Sequence, residues 1–148
     1  MKQGESIYKI LIVEDDRIIA DNVCEQLLKW GYDVKIADDF NDVLKIFAKY
    51  EPQLVLMDIG LPYFNGYHWC MQIRNISKVP VIFMSSMSDN MNIVMAINMG
   101  GDDFISKPFD LHVLIAKIQA ILRRTYDFST SSNLLEHRGA ILNINDNS

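Results

Sequence analysis

Short apolar runs alternate with longer amphipathic stretches over most of this chain. Strand-length apolar runs that alternate with helical patterns are typical of a parallel sheet with helices packed against it. The pattern predicts strands at Ile7–Val13, Asp33–Ala37, Gln53–Asp58, Pro80–Met84 and Asp103–Ile105. It predicts helices at Asp16–Trp30, Phe40–Lys49, Gly66–Asn75, Asp89–Met99 and Asp110–Arg124. We therefore expect an α/β protein in which five strands and five helices alternate strictly.

Residues that begin or end helices stand where these predictions need them. Gly31 follows the first helix, Asn65 can cap the third, and Gly100 with Gly101 can end the fourth. The last helix carries one apolar stripe at helical spacing, formed by Leu111, Leu114, Ile115, Ile118, Ile121 and Leu122. The expected architecture is a flavodoxin-like, doubly wound (βα)5 fold with a central parallel five-stranded sheet of order 2-1-3-4-5.

The sequence changes character after Arg124. Residues 126–133 are mostly small and polar and show no periodicity, which predicts a linker. Residues 134–144 resemble two short strands around a turn, and a piece of this size cannot bury a core of its own. It either packs on the main domain or begins a second one, and we favour the second interpretation because polar linkers usually join independent units. The predicted organisation is a main domain at 1–125, a linker at 126–133 and the truncated start of another domain at 134–148.

Composition limits the classes of function. The 148 residues carry a formal net charge of −5, and an acidic chain lacks the basic face that nucleic-acid binding requires. Cys24 and Cys70 show no metal-ligand spacing, so we expect both to pack as small apolar groups in a reducing cytoplasm. No apolar run is long enough to span a bilayer and no signal-peptide pattern precedes the first strand, so no membrane insertion is expected.

Polar residues stand where the predicted strands end. Glu14 and Asp15 follow the first strand, Asp58 ends the third, Ser85 follows the fourth and Lys107 follows the fifth. The carboxyl ends of parallel strands share one edge of the sheet, where ligands bind in a crevice. Three carboxylates, a hydroxyl and an ammonium would therefore meet at one place. This set suits a hard divalent cation, Mg2+, together with a phosphoryl group.

An aspartate held beside such a cation can act as a nucleophile. Asp58 can attack a phosphoryl group and carry it as an aspartyl phosphate, while Lys107 and Ser85 bind the transferred oxygens. Each residue also has a structural interpretation. Glu14, Asp15 and Asp16 could cap the first helix, Asp58 could bind loop amides, and Lys107 could be a solvated charge. Their convergence at one sheet edge favours the functional interpretation.

The combination resembles the receiver domain of response regulators in two-component signalling systems, over residues 7 to about 125. The residues that carry the resemblance are Val13–Asp16, Leu56–Pro62, Pro80–Ser86 and Ser106–Phe109. The resemblance implies that Asp58 accepts a phosphoryl group from a membrane histidine kinase. It also implies that Asp15, Asp58 and the backbone carbonyl of Gly60 hold magnesium, and that Glu14 acts through water.

The same resemblance assigns switch roles to residues near the phosphoacceptor. Ser85 would be the switch hydroxyl, Phe104 the switch aromatic and Lys107 the phosphate partner, joined to Pro108 by a peptide bond that is usually cis in this family. Relatives often have Thr and Tyr in place of Ser85 and Phe104; the serine keeps its hydroxyl, whereas the phenyl ring loses the hydrogen bond of a phenol. Ser86, next to the switch hydroxyl, is small enough to leave the phosphoryl group accessible.

Among DNA-binding relatives of the winged-helix (OmpR/PhoB-like) class, the outer face of the fourth and fifth helices builds a two-fold homodimer. The resemblance implies the same dimer here, with Ile93 and Val113 in place of one charged pair. The charged positions of that face are matched by Asp102, Asp103, Lys117 and Arg124. Residues 134–148 would then open a winged-helix output domain, and the intact protein would bind promoter DNA only through that domain to control transcription.

A narrower resemblance rests on three segments, Phe64–Cys70, Ser85–Asn92 and Ala116–Tyr126. They look like the regulators that govern resistance to bacitracin and cationic antimicrobial peptides in Gram-positive bacteria. Such regulators work with an intramembrane-sensing kinase and an ABC transporter, so this resemblance implies a role in antibiotic resistance.

Three other functions share part of this chemistry. A phosphatase with an aspartyl-phosphate intermediate usually needs an acid two residues after the nucleophile, and Gly60 occupies that position, so we expect a signalling domain and not an enzyme. A flavodoxin-like cofactor carrier would share the strand order, but three clustered carboxylates would repel a flavin phosphate. A stand-alone receiver that acts through protein partners remains the alternative to a transcription factor.

Overall fold

The computed structural model describes residues 7–86 and 90–127, and within them strands and helices alternate as predicted. The elements are β1 Lys9–Val13, α1 Arg17–Lys29, β2 Asp33–Ile36, α2 Val43–Tyr50, β3 Leu54–Asp58, α3 Gly66–Arg74, β4 Val81–Ser85, α4 Asn90–Asn98, β5 Asp103–Ser106 and α5 Leu111–Leu122. A π-helical turn at Arg123–Asp127 follows α5 directly. The linker was predicted at 126–133, and its first two residues lie in this π-helical turn. The rest of that linker and the predicted further domain at 134–148 lie outside the described residues.

All pairings in the sheet are parallel, and its strand order is β2-β1-β3-β4-β5. This confirms the flavodoxin-like doubly wound fold. Strands β3 and β4 are buried along their whole length, and β1 is buried except at Lys9. Strands that are covered on both faces need continuous apolar sequence and do not alternate with polar residues. The unbroken runs Ile10–Val13, Leu54–Met57 and Val81–Met84 meet that need, and they place their polar ends at one edge.

Helix α2 begins at Val43, and its predicted start at Phe40 was wrong. The Asp39 carboxylate accepts a hydrogen bond from the N–H of Asn41 at 3.0 Å, and the Asp42 carboxylate accepts one from Lys45 at 3.2 Å. Aspartates that bind nearby backbone N–H groups compete with helix formation and favour turns and helix caps. Phe40 packs against the core from a turn that precedes the helix.

The other predicted boundaries differ from the observed ones by at most two residues, as is usual at element ends. The residues expected to punctuate the helices do so. Gly31 has φ +90° after α1, Gly100 has φ +97° after α4, and the Asn65 side chain accepts a hydrogen bond from His68 N–H at 3.0 Å. The residue predicted to begin the fourth helix, Asp89, lies outside the described residues.

The chain divides into two compact units, and the division falls inside α5 after Leu114. In the first unit, Leu114 is fully buried. In the second unit, the predicted apolar stripe of α5 is buried at Ile115, Ile118, Ile121 and Leu122. Among the described residues, no helix has the length and apolar character needed to cross a membrane.

Gly66 lets α3 start directly against the end of β3. A Cβ at this position would overlap the carbonyl oxygen of Asp58 and meet Ile59 Cα at 3.0 Å. We expect Gly66→Ala to lower the free energy of unfolding by about 1–3 kcal/mol, because backbone must shift to relieve the overlap. Gly60→Ala is the matched control, since a Cβ there meets nothing within 4 Å. Urea unfolding of both variants measures the effect, and equal losses would contradict this explanation.

Candidate functional site

Glu14 and Asp58 lie side by side at the carboxyl edge of the sheet. The parallel register pairs Val13 with Met57, so the next residue of each chain segment reaches the same position on the edge. Glu14 is 1% exposed and Asp58 is 4% exposed, whereas Asp15 is exposed to solvent. Carboxylate oxygens of the three residues lie within 4.8 Å of one another. The predicted acidic cluster therefore forms, although these residues come from two distant segments.

The helix-capping interpretation applies to Asp16 and not to Glu14 or Asp15. The Asp16 carboxylate is the N-cap of α1 and accepts hydrogen bonds from Ile18 and Ile19 N–H at 3.0 and 3.4 Å. Glu14 points into the site, where its Oε2 accepts a hydrogen bond from Asp16 N–H at 3.1 Å. One acidic run thus serves two purposes, because only its last residue is needed to begin the helix.

Lys107 is brought to the carboxylates by the pairing of β4 with β5. Ser85 pairs with Ser106, and the Lys107 backbone N–H donates to the Ser85 carbonyl at 2.8 Å. The Lys107 Nζ atom then lies 2.7 Å from Glu14 Oε1 and 3.1 Å from Asp58 Oδ1. The peptide bond to Pro108 is cis, as the sequence resemblance implied. Lys107 is thus an internal partner of two buried carboxylates and not a solvated charge.

The pKa values of Glu14 and Lys107 reflect this compact arrangement of charges. Burial raises the pKa of Glu14 and outweighs the Lys107 ammonium and the Asp16 N–H, which favour the ionised carboxylate; the nearby charge of Asp58 adds to the rise. Burial alone would lower the pKa of Lys107, but Glu14 and Asp58 outweigh it and raise that pKa. The lysine is therefore held in its charged form between the two acids.

The residues predicted to contact a phosphoryl group lie around Asp58 at the same edge. Ser85 ends β4 and is 3% exposed, while Ser86 beside it is exposed. The Gly60 N–H donates to Asp58 Oδ1 at 3.4 Å, so the loop after β3 folds back over the carboxylate. Phe104 is half-buried in β5 and packs against the core. Its position is consistent with an aromatic ring that can move between core and surface.

The acidic cluster has the properties of a divalent-cation site. Its donors are carboxylate oxygens, the ligands that Mg2+ prefers, and they lie close enough to share one ion. Glu14 Oε1 is buried and forms an ion pair with Lys107, but it has no well-aligned hydrogen bond. A single ammonium does not balance three carboxylates, so a cation would relieve their repulsion. The residues therefore fit magnesium, with Asp15, Asp58 and the Gly60 carbonyl as its predicted ligands.

The residues predicted to form a dimer face occupy different environments. In the first unit Ile93 and Asp103 are half-buried, Val113 is 48% exposed, and Asp102 is exposed but forms an ion pair with Arg74. In the second unit Lys117 is half-buried and Arg124 is exposed. Their role in an interface remains a prediction.

The sequence did not indicate the structural role of Arg74, which lies at the end of α3. Its guanidinium binds three backbone carbonyls and the Asp102 carboxylate. The only sequence signal was a basic residue in the last turn of a helix, which normally indicates no more than a favourable interaction with the helix dipole. Gly100 and Asp102, two of its partners, are distant in sequence, so no local pattern identifies them.

We expect Lys107→Met to lower the free energy of unfolding of the metal-free chain by about 2 kcal/mol, because Glu14 would stay buried without its countercharge. Lys107→Arg keeps the charge and should lose less. Lys78→Met is the control, since Lys78 is exposed and lies outside the cluster. Urea unfolding in the presence of EDTA measures all three, and a loss no larger than that of the control would contradict the proposed charge balance.

Comparisons with known proteins agree with the fold. Residues 10–119 match the response regulator receiver domain family. The chain is 55% identical over 120 residues to the uncharacterized transcriptional regulatory protein YvcP of Bacillus subtilis, a match that covers 81% of this chain and 51% of YvcP. It is 44% identical over 130 residues to the sensory transduction protein BceR of Halalkalibacterium halodurans, covering 88% of this chain and 56% of BceR.

One similar solved structure is the N-terminal domain of the nisin resistance regulator NsrR, which is described as a lantibiotic response regulator. It is 50% identical, covers 80% of this chain and 100% of its own, and superposes with a TM-score of 0.72. The chain spans about half the length of the curated relatives named above. The narrower resemblance to resistance regulators is confirmed at the level of similarity. The family match extends over most of the chain, and this protein belongs to the response regulator receiver domain family.

Proposed function

We propose that this chain accepts a phosphoryl group on Asp58 from a membrane histidine kinase, and that the phosphorylated form switches its dimerisation to control transcription. The observation that carries the proposal is the environment of Asp58. Its carboxylate is almost fully buried, lies 3.1 Å from the Lys107 ammonium, and shares the sheet edge with two further acids. Groups that suit a nucleophile, a cationic partner and a set of metal ligands therefore lie together at this edge of the sheet.

The transfer follows from the arrangement of these groups. A carboxylate oxygen of Asp58 attacks phosphorus, the P–N bond of the kinase phosphohistidine breaks, and the imidazole nitrogen keeps the bonding electron pair. Lys107 and Ser85 bind the transferred oxygens as their charge develops. Magnesium at Asp15, Asp58 and the Gly60 carbonyl would neutralise charge on the incoming group. Gly60 supplies no general acid, so the product should be a lasting signal and not a rapidly hydrolysed intermediate.

Phosphorylation would change the packing near Ser85. Aspartyl phosphate has more charge and more acceptor oxygens than a carboxylate, so Ser85 and Lys107 would be drawn toward it. Movement of Ser85 would free space that Phe104 can fill, since that ring already packs against the core from a half-buried position. A switch of this kind requires a preference of about 1–3 kcal/mol for the active arrangement.

The surface that responds to this change is the outer face of α4 and the start of α5. Apolar side chains are exposed there at Val94, Met95, Ile97 and Val113. A concentration of exposed apolar residues usually marks a partner surface. We assign the partner as a second copy of the chain, with Ile93 and Val113 meeting across a two-fold axis.

Transcriptional output extends the proposal to the whole protein. YvcP is described as a transcriptional regulatory protein and NsrR as a nisin resistance regulator. By analogy we propose that promoter DNA is bound through an output domain after this receiver, in the cytoplasm, and that the regulated response is resistance to antimicrobial peptides. An acidic receiver would take no direct part in DNA binding.

The proposed function predicts metal-dependent phosphorylation of the isolated chain. Incubation with acetyl phosphate and magnesium should add one phosphoryl group, and EDTA should prevent the addition because the acidic cluster would then lack its cation. Intact mass spectrometry measures both reactions. A chain that is folded, as judged by circular dichroism, and gains no phosphoryl group with magnesium present would contradict the proposal.

A further inference from the structure

Arg74 joins three parts of the fold, one of which, the α4–β5 turn, is distant from it in sequence. From the end of α3, its Nε donates to the Gly100 carbonyl at 3.0 Å and its Nη1 donates to the Val79 carbonyl at 2.6 Å. Its Nη2 donates to Asp102 Oδ2 at 2.9 Å. The guanidinium therefore connects α3 to the segment before β4 and to the turn between α4 and β5. A planar fork with five donors suits such a junction, whereas a lysine could not reproduce it.

Asp102 binds Arg74 and β4 through the same oxygen. Its Oδ2 also accepts a hydrogen bond from Val81 N–H at 2.8 Å, and the Asp102 N–H donates to the Val81 carbonyl at 2.8 Å. The carboxylate is thus bonded to the first residue of β4 and to a cation of its own chain. A cationic group approaching from outside would meet a carboxylate whose charge is already compensated, so its attraction would be weak.

The turn that this pair holds has no room for side chains. Gly100 has φ +97°, and a Cβ on it would lie 2.9 Å from the Arg74 side chain. A Cβ on Gly101 would lie 2.6 Å from the Phe83 ring and 2.8 Å from the Ala96 carbonyl. The two glycines therefore fit between Arg74 and the core of the sheet. Their N–H groups also close the last turn of α4, by donating to the carbonyls of Ile97 and Ala96 at 3.0 Å.

These contacts give the Arg74–Asp102 pair a function at the proposed dimer face. We propose that the pair is an internal clamp that fixes the α4–β5 turn, and that Asp102 shapes the dimer face by holding this turn and not by contacting the partner subunit. Arg74 and Asp102 are then positioning residues of that face. The clamp holds the carboxyl-terminal end of α4 in place, so the switch would move the amino-terminal end, which follows Ser85 and Ser86. This inference rests on the proposed phosphorylation-dependent dimer.

A double-mutant cycle separates the two roles of Asp102. The variants are Arg74→Ala, Asp102→Ala, the double variant and Asp102→Asn. Each is phosphorylated with acetyl phosphate and magnesium, its phosphoryl content is checked by intact mass, and its dimer dissociation constant is measured by sedimentation equilibrium. We expect each alanine variant to weaken the dimer about tenfold and the double variant to weaken it by clearly less than the product of the two effects, because both remove the Arg74–Asp102 bond. Asp102→Asn should stay within about twofold of the parent chain, since its amide oxygen can still accept from Arg74 and Val81.

Direct contact with the partner predicts a different pattern. Asp102→Asn would then weaken the dimer as much as Asp102→Ala, and the effect of Arg74→Ala would add to it; either result overturns the proposal. Asp102→Asn keeps the side-chain oxygen that accepts hydrogen bonds from Arg74 and Val81. This variant therefore distinguishes the clamp from a direct contact even if an alanine variant is unstable. Should the phosphorylated parent chain itself remain monomeric, the proposed dimer fails. The clamp is then tested by measuring the urea midpoints of unfolding of the same variants. Additive decreases in the midpoint would exclude the clamp, and decreases that are less than additive would support it.

Discussion

Asp58→Asn is expected to abolish phosphorylation of the chain by acetyl phosphate. The amide keeps the size of the side chain but replaces the nucleophilic carboxylate oxygen, and it removes a charge from the predicted magnesium ligands. The substitution also removes the negative charge of Asp58 Oδ1, which lies 3.1 Å from the Lys107 ammonium. Intact mass should show no added phosphoryl group under conditions in which the parent chain gains one.

Asp16→Asn is the matched control for this experiment. Asp16 follows Glu14 and Asp15 of the acidic cluster in sequence, but its carboxylate caps α1, and asparagine caps helices equally well. This variant should be phosphorylated like the parent chain. Phosphorylation of the Asp58 variant to the same extent as the control would show that another residue is the acceptor, and the assignment of Asp58 would be wrong.

Ile93→Lys is expected to prevent dimerisation of the phosphorylated chain. A lysine at the centre of an apolar two-fold interface would face the same lysine of the other copy, and both ammonium groups would lose water. We expect the dimer dissociation constant to rise by on the order of a hundredfold or more. Sedimentation equilibrium of the phosphorylated chain measures this change, and phosphorylation itself should be unaffected because Ile93 lies outside the acidic cluster.

Leu28→Lys provides a comparison for the dimer experiment. Leu28 is an apolar residue on a helix and is 55% exposed, but it lies in α1, outside the proposed interface. It should leave the dimer unchanged. A phosphorylated Ile93 variant that still dimerises as strongly as the Leu28 variant would exclude the outer face of α4 and the start of α5 as the interface.

The fold could be predicted because its central strands have a sequence pattern that is easy to recognise. Strands covered on both faces must be apolar throughout, and three of them in this chain stand out as unbroken runs between polar segments. The start of α2 could not be placed correctly, because hydrogen bonds of the Asp39 and Asp42 side chains stop the helix short of Phe40. Apolar periodicity does not register such local competition.

The acidic site was predictable for a topological reason. Parallel strands deliver the residues after their carboxyl ends to one edge, so Glu14, Asp58 and Lys107 could be placed together from strand positions alone. The sequence could not show which residue of the acidic run Glu14–Asp16 caps α1 and which residues belong to the acidic cluster. Asp15 and Asp16 are neighbours with identical side chains, and only the geometry of the first helical turn decides which one is the cap.

The contacts at the amino ends of β4 and β5, on the side of the sheet away from the acidic cluster, could not be predicted from the sequence. Arg74 and Asp102 lie 28 positions apart, and their ion pair depends on how α3 ends relative to the α4–β5 turn. The charge of Asp102 matched a dimer-face pattern, yet its carboxylate binds Arg74 within the same chain. A charge pattern gives the positions of ionic groups but not the partners that the fold provides for them.

The central claim is that Asp58 is the residue that carries the phosphoryl group, and borohydride trapping tests it most directly. Borohydride reduces an acyl phosphate to an alcohol, so the acceptor aspartate of the phosphorylated chain is converted to homoserine. Between Lys49 and Arg74, where trypsin cleaves, Asp58 is the only aspartate. Peptide mass spectrometry should find homoserine at position 58 only after treatment with acetyl phosphate and magnesium. Conversion of a different aspartate, or a phosphorylated chain with Asp58 intact, would contradict the account.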